Sequence, residues 1–233
     1  MGRVAAWRTK ELGWVCANPD WRDAGSYGLK PNAPLHHWAW EFLRRNSRYR
    51  RSAAEGDPHS AGLWGLTSLA NPEASSEEVR WLAIQAYQLI QGTGRLPDLA
   101  QWQVALIFDV RHKLPLAVLQ RQLGELAEYL YTAGGPSSAA VEMKNRRGGP
   151  KHDKASLLLC LRFADAVAND RTIDSNELAE ALGIEGRRSK RLSEIHQRAS
   201  ALVANDYLRL VDQSLAPMRH TPRLLKIGTQ PSW

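Results

Sequence analysis

The apolar residues of this chain recur mostly at the three- and four-residue spacing that is typical of amphipathic helices. Residues 116–131 carry leucines along one stripe, and residues 154–169 form a second, strongly apolar pattern. A third helical pattern begins at Leu35 and is ended by the turn-forming residues 56–58. The spacing therefore predicts a mainly α fold.

Two segments between these helices have shorter patterns. Asn71-Pro72 precedes a serine pair that can cap a helix, and apolar residues from Val79 to Ile90 follow at helical spacing. Residues 102–110 form a short apolar run, partly β-branched and with prolines beyond both ends, which favours a strand. A buried helix is the competing interpretation of that run, because periodicity alone does not separate the two.

Glycine, proline and serine mark the boundaries of a predicted architecture with two small helical domains and one to three short strands. A Trp- and Arg-rich N-terminal segment (1–60) is followed by a helical middle region that packs with it (61–135). A linker (136–153) then leads to a helix-turn-helix domain (154–212) and a tail (213–233).

The segment from Asp174 to Leu202 has the pattern of a helix-turn-helix. Asp174 or Ser175 can cap its first helix, and Gly183 can adopt the left-handed conformation that ends it. Residues 206–211 and 224–227 are predicted as short strands, which would make the domain a winged variant. The residues expected to face the core are Leu178, Ala179, Leu182, Ile184, Leu192, Ile195, Ala199 and Leu202.

The opposite face of the second helix is basic and polar. In DNA-binding proteins of this architecture the start of that helix lies in the major groove, where arginine pairs with guanine or with phosphate. The residues predicted to contact nucleic acid there are Arg187, Arg188, Lys190, Arg191, Ser193 and His196.

The net charge supports an acidic partner. The chain has 31 lysine and arginine residues against 24 aspartate and glutamate residues, giving a formal charge of +7. Residues 1–60 carry +4, residues 61–142 carry −3 and residues 143–233 carry +6, so the excess lies at the two ends. Basic proteins often bind acidic polymers, and we expect nucleic acid, with double-stranded DNA favoured over RNA or a single strand.

Two further basic clusters are candidate contacts, with a solvated helix face as the competing interpretation of each. They comprise Arg44, Arg45, Arg48 and Arg51 after the aromatic stretch, and Lys144, Arg146 and Arg147 in the linker. Among the aromatic residues, Trp38 and Phe42 are expected in the core. Trp40 lies partly off that face and is the better candidate for an exposed contact with unpaired bases.

Several classes of protein are disfavoured. The chain has no apolar run long enough for a membrane span, and its N-terminus lacks the apolar stretch of a signal peptide. Its two cysteines make neither a disulfide framework nor a zinc site. No phosphate-binding glycine loop, nucleophile elbow or zinc-protease motif occurs. We expect a cytoplasmic, non-enzymatic protein with no cofactor, metal site or membrane partner.

Trp38 to Tyr49, WAWEFLRRNSRY, resembles the AWEFLRRNPxY segment of the proteobacterial transcriptional regulator-like domain, with Ser47 where that family usually has proline. Residues 108–123 are similar to an FDLRxPLxxQL motif of the same group. Residues 177–183, ELAEALG, resemble the C-terminal helix-turn-helix domain of activators and antiactivators of integrative conjugative elements, although the usual Trp-Lys pair between its helices is absent. The resemblance implies DNA-linked regulation on a bacterial mobile element.

Three functional hypotheses follow. The first is a DNA-binding transcriptional regulator of a mobile element that contacts DNA through its basic second helix. The second is a protein-interaction module, such as an antiactivator, that binds another regulator or RNA polymerase. The third is a basic helical subunit of a larger, RNA-guided nucleoprotein complex.

Overall fold

The computed structural model describes residues 12–30, 32–56, 58–82, 87–91, 104–108, 114–133 and 153–215. It is mainly helical, as predicted. The α-helices in chain order are α1 to α7, at Leu35–Leu43, Ser47–Glu55, Leu116–Ala133, Lys154–Asn169, Ser175–Ala181, Arg188–Ala201 and Tyr207–Leu215. Short 3-10 helices lie at Ala24–Tyr27 and Pro58–Trp64, and a π-helical turn, Leu202–Asp206, joins α6 to α7.

Polar caps fix the starts of several helices. Asn46, Asp153 and Asp174 each accept hydrogen bonds from backbone amides in the first turn of α2, α4 and α5. These side chains satisfy N–H groups that have no partner within the helix. The helices predicted at residues 116–131 and 154–169 are confirmed, as is the first helix of the predicted helix-turn-helix.

The strand predicted within residues 102–110 is confirmed as β2, Val104–Phe108. It pairs antiparallel with β1, Tyr87–Gln91, in a register that places Leu89 opposite Leu106. The helix predicted to begin after Asn71-Pro72 and to continue to Ile90 is wrong for the residues described, which have no helix at 71–82 and form β1 at 87–91. Thr67 N donates to Arg80 O at 3.0 Å and Leu82 N to Gly65 O at 2.8 Å, so this backbone pairs with a distant segment rather than with its own preceding turn.

The strand predicted at residues 206–211 is also wrong, because these residues lie at the end of the π-helical turn and in α7. The apolar residues Tyr207, Leu208, Leu210 and Val211 are all buried, which is the spacing of a helix face. The second strand of the expected wing, at residues 224–227, lies outside the described residues, and the winged form stays a prediction.

The N-terminal segment and the C-terminal helices share one hydrophobic core. Helix α1 packs against α7 and α4 against α6, and the two halves are joined by hydrogen bonds. Trp14 Nε1 donates to Ala164 O at 3.0 Å, and Tyr207 Oη donates to Trp64 O at 3.1 Å. In the described part of the chain the predicted domain boundary therefore does not separate two cores.

Helix α3 is attached to the outside of this core. Gln122 Nε2 donates to Asp212 Oδ1 at 3.1 Å, and Arg121 forms an ion pair with the same carboxylate on α7. Within the described ranges no helix has both the length and the apolar character needed to cross a bilayer.

The aromatic stretch on α1 belongs to the core. Trp38 and Phe42 are buried as expected. The prediction that Trp40 is exposed is wrong: it has no accessible surface, and its indole Nε1 donates to Ala74 O at 3.0 Å. The apolar face of α1 is wide enough to include Trp40 because the helix is covered both by α7 and by the loop that contains Ala74.

Candidate nucleic-acid interface

Helices α5 and α6 form the predicted helix pair, with α6 beginning at Arg188. Leu178 and Ala179 on α5 are buried, as are Leu192 and Ala199 on α6. The turn between the helices uses Gly183 at φ 69° and Gly186 at φ 77°, conformations that favour glycine. Ile184 N donates to Ala179 O at 2.8 Å, which closes the turn onto the end of α5.

The start of α6 is basic and exposed. The predicted contact residues Arg187, Arg188, Lys190, Arg191 and Ser193 all lie at the surface. Arg187 occupies the N-cap position and makes no side-chain capping bond in the structure as described. The helix start therefore combines exposed cationic side chains with the positive end of the helix dipole, an arrangement that favours anions.

One salt bridge lies on this surface. Lys190 Nζ is 3.8 Å from Glu194 Oε1, one turn further along α6, and both side chains are more than half exposed. At this distance and exposure the attraction is weak. Lys190 remains accessible to another anion.

His196 does not belong to the basic face, which corrects the prediction. Its ring lies 6.1 Å from the ring of Trp14 and 5.9 Å from that of Phe163, and the residue is half-buried. The helical turn brings position 196 back towards α4, so the predicted contact residues that are exposed lie in the first turn and a half of α6. Arg198 in the last turn is also exposed, and its guanidinium donates to Ser156 Oγ.

Arg45 is also misassigned by the sequence pattern, because its side chain is completely buried. Its Nε donates to Asp165 Oδ1 at 2.9 Å and its Nη2 to Asp165 Oδ2 at 2.6 Å. Its Nη1 donates to Glu41 Oε2 at 2.9 Å and also to the backbone oxygen of Glu41. A guanidinium held in this way is inaccessible to nucleic acid.

The carboxylate of Asp165 is the centre of this buried network. Besides Arg45, it accepts hydrogen bonds from Tyr27 Oη and from the backbone N of Ala17, each at 2.9 Å. Burial by itself lowers the pKa of Arg45, but the carboxylates of Asp165 and Glu41 outweigh burial and raise it. Burial, followed by the charge of Asp165, raises the pKa of Tyr27. The network is thus ionic at Arg45 and neutral at Tyr27.

The other arginines of the first cluster differ in accessibility. Arg44 is half-buried, with Nε 2.9 Å from Glu41 Oε2. Arg48 and Arg51 on α2 are exposed. Lys144, Arg146 and Arg147 lie outside the described residues, so their predicted contacts remain predictions.

The two exposed basic surfaces lie near opposite ends of α6. Asn46, which caps α2 ahead of Arg48, donates from Nδ2 to the carbonyl of Val203 at 2.8 Å. Val203 follows the end of α6, whereas Arg188 is its first residue. At the rise of an α-helix, the distance from Arg188 to Val203 is roughly 22 Å.

Three other features of the described residues bear on their chemistry. They contain no group of three or more histidine, cysteine, aspartate or glutamate side chains placed to hold a metal ion. Burial raises the pKa of Cys160 to about 11, against a smaller opposing effect of Arg198, and burial followed by the charge of Asp165 raises that of Cys16. A surface groove of about 510 Å³ beside α2 is lined largely by Ala53, Ala54, Leu69, Ala70 and Pro72.

Sequence reasoning missed three residues that organise this region. Asp165 lies within the apolar pattern of α4 and was not singled out. A lone carboxylate in such a pattern indicates that it is buried with a partner of opposite charge. Arg22 contacts the helix pair through Glu177, and Arg162 bonds both to Ala181 at the end of α5 and to the backbone of Trp21 and Arg22. All of these bonds except the one to Ala181 join residues more than a hundred positions apart. No local pattern marks such contacts.

Comparison with known proteins gives one match. Neither the curated proteins nor the solved structures gave a match to the chain. Residues 20–81 match the family model of the proteobacterial transcriptional regulator-like domain. The matched residues include α1 and α2 but not the helix pair of α5 and α6. The expected resemblance of that pair to regulators of conjugative elements stays a prediction. The N-terminal segment is therefore similar to a transcriptional regulator-like domain, as Trp38 to Tyr49 indicated.

Proposed function

We propose that this chain is a non-enzymatic, DNA-binding transcriptional regulator of a bacterial mobile element, and that the first turn of α6 contacts double-stranded DNA. The observation that carries the proposal is the exposed basic start of α6, which stands on a helix pair whose other face is buried. The regulator-like match of residues 20–81 supports the regulatory part of the proposal.

The residues at the start of α6 suit both components of DNA recognition. Arginine can make two parallel hydrogen bonds to guanine in the major groove, and lysine provides a point charge for phosphate. Arg48 and Arg51, at the other end of α6, would contribute phosphate contacts at a second position on the duplex.

The test is retention of sheared genomic duplex DNA by the tagged, full-length chain at low salt, followed by sequencing. The proposal expects enrichment of sites within an integrated mobile element. The variant R187A/R188A/K190A/R191A should lose this enrichment, whereas K30A and R171A, which also remove exposed charges, should keep it. Failure of the wild-type chain to retain duplex DNA would overturn the proposal.

A second candidate function, a protein-interaction module such as an antiactivator, is favoured by a different observation. Glu180 on α5 and Glu185 in the turn are exposed close to the basic start of α6. A surface with both signs complements a protein surface, whereas its acidic part repels phosphate. Copurification of RNA polymerase or another regulator that is lost in the fourfold variant, with DNA affinity unchanged, would support this candidate.

A further inference from the structure

A turn of the N-terminal segment lies against the helix pair and brings Arg22 to its surface. We propose that Arg22 is an additional phosphate-contacting residue that the regulator-like segment contributes to the DNA interface of α5 and α6. This inference rests on the proposed function, and it extends the interface to a residue outside the helix pair.

Arg162 of α4 fastens this turn in place. Its Nε donates to Trp21 O at 2.9 Å, and its Nη2 donates to Arg22 O and to Ala181 O, each at 2.8 Å. Ala181 is the last residue of α5, directly before the turn that leads into α6. The backbone of Arg22 is therefore held at the end of α5 that is connected to the basic start of α6.

The side chain of Arg22 is oriented by two contacts. Its guanidinium carbon lies 4.3 Å from the centre of the Trp21 ring, and Trp21 is itself buried and hence fixed. Its Nη2 lies 2.7 Å from Glu177 Oε1 on α5. A guanidinium stacked on an immobile ring loses less conformational entropy when it binds an anion than one on a free side chain.

The ion pair leaves both groups accessible. The side chains of Arg22 and Glu177 are 58% and 57% exposed, so a phosphate can approach the remaining N–H groups of the guanidinium. The first helix of a DNA-bound helix-turn-helix crosses the phosphate backbone, which places Glu177 on α5 near negative charge. Arg22 would offset that repulsion and also donate to the phosphate.

These two effects of Arg22 are separable in a cycle of variants. The wild-type chain, R22A, E177Q and R22A/E177Q are titrated with sheared genomic duplex DNA at about 50 to 200 mM salt. We expect R22A to bind about fivefold more weakly than wild type, with the slope of log affinity against log salt reduced by about 0.9 for one lost phosphate contact. E177Q should bind at least as tightly as wild type.

The double variant decides between contact and neutralisation. If Arg22 contacts phosphate, R22A/E177Q binds more weakly than E177Q and keeps the reduced slope. If the double variant equals E177Q, or R22A equals wild type, the inference is overturned. R22K keeps the charge and should keep the slope, and equal melting temperatures of all variants exclude a folding effect. If R22A has a lower melting temperature than wild type, R22Q replaces R22A in the set of variants.

The controls distinguish this inference from the proposed function. Suppose that wild type binds DNA, that the R187A/R188A/K190A/R191A variant does not, and that R22A has the same affinity and salt slope as wild type. In that case the inference on Arg22 fails and the proposed function stands. If wild type does not bind duplex DNA at any salt concentration tested, both fail.

Discussion

Arg45 and Asp165 form a bidentate ion pair in the centre of the protein, with N–O distances of 2.9 and 2.6 Å and no solvent exposure of either side chain. Arg45 follows α1 and Asp165 lies on α4, so the pair joins the regulator-like segment to the helices that support α5 and α6. Arg45 thus contributes to folding rather than to DNA contact, unlike the exposed Arg48 and Arg51 of the same basic cluster.

This pair predicts a large loss of stability when one partner is removed. Asp165→Asn should lower the free energy of unfolding by about 3 to 5 kcal/mol, because it leaves the charge of Arg45 buried with only the carboxylate of Glu41 as a counter-ion. Urea denaturation followed by circular dichroism measures the loss. The exposed pair of Arg22 and Glu177 is the matched control, and breaking it should cost about 1 kcal/mol or less. The prediction would be contradicted if D165N lowered the free energy of unfolding by no more than R22A does.

Replacing the pair as a whole should be less harmful than breaking it. R45M/D165L removes both charges and fills the space with apolar groups, which is often neutral or stabilising for buried pairs. We therefore expect the double variant to unfold at a higher urea concentration than D165N. If the loss of unfolding free energy in the double variant equals the sum of the losses in R45M and D165L, the two charges do not stabilise the fold through each other.

Asn46 links the cap of α2 to the end of α6. Its Oδ1 accepts hydrogen bonds from Arg48 N and Tyr49 N, and its Nδ2 donates to Val203 O at 2.8 Å. Asn46→Ala should lower the free energy of unfolding by about 2 to 3 kcal/mol, because it removes a helix cap and a buried hydrogen bond to Val203. Asn46→Ser keeps a capping oxygen and should cost less. Equal urea midpoints for the two variants would argue against a contribution from the capping oxygen.

Tyr49 predicts a loss of stability at alkaline pH. Burial raises its pKa to about 12 from an ordinary value of 10, against a smaller lowering by its bond to Ala70. The folded state keeps the phenol proton where the unfolded chain loses it, so this contribution to stability is complete below pH 10 and falls as pH rises towards 12. The difference in unfolding free energy between wild type and Y49F should therefore shrink over this interval. A constant difference would contradict the prediction.

Arg48 and Arg51 should act as phosphate contacts without sequence preference. Because they lie at the far end of α6 from Arg188, R48A/R51A should weaken binding to all duplexes by a similar factor. The salt slope should fall by up to about 1.8 if both contact phosphate. Titration of several unrelated duplexes measures this. Selective loss on one sequence would indicate base contact instead.

Local signals predicted much of the fold. Apolar stripes placed α3 and α4, the capping Asp174 placed α5, and Gly183 marked the end of α5 because its positive φ favours glycine. Within residues 79–90, those that the structure describes were misassigned because backbone pairing of Arg80 with Thr67 and of Leu82 with Gly65, together with strand β1, overrode their helical spacing. Such pairing depends on contacts that the local pattern does not contain.

The candidate site was less predictable than the fold. A run of arginines in sequence predicts exposed side chains unless a buried partner is known. The partner of Arg45, Asp165, is 120 residues further along the chain. His196 was assigned to the basic face, yet it lies one turn after the buried Leu192, and its half-buried ring is close to those of Trp14 and Phe163. The exposed start of α6 was predictable because the apolar stripe of the helix pair fixes which side faces the core.

The salt dependence of duplex binding tests the central claim, which is that the first turn of α6 contacts DNA. Wild type and R187A/R188A/K190A/R191A are titrated with the same duplex over about 50 to 200 mM salt. The account predicts a steep negative slope for wild type, reduced in magnitude by about 3 to 4 in the variant. Equal slopes for the two proteins, with equal affinities, would contradict it.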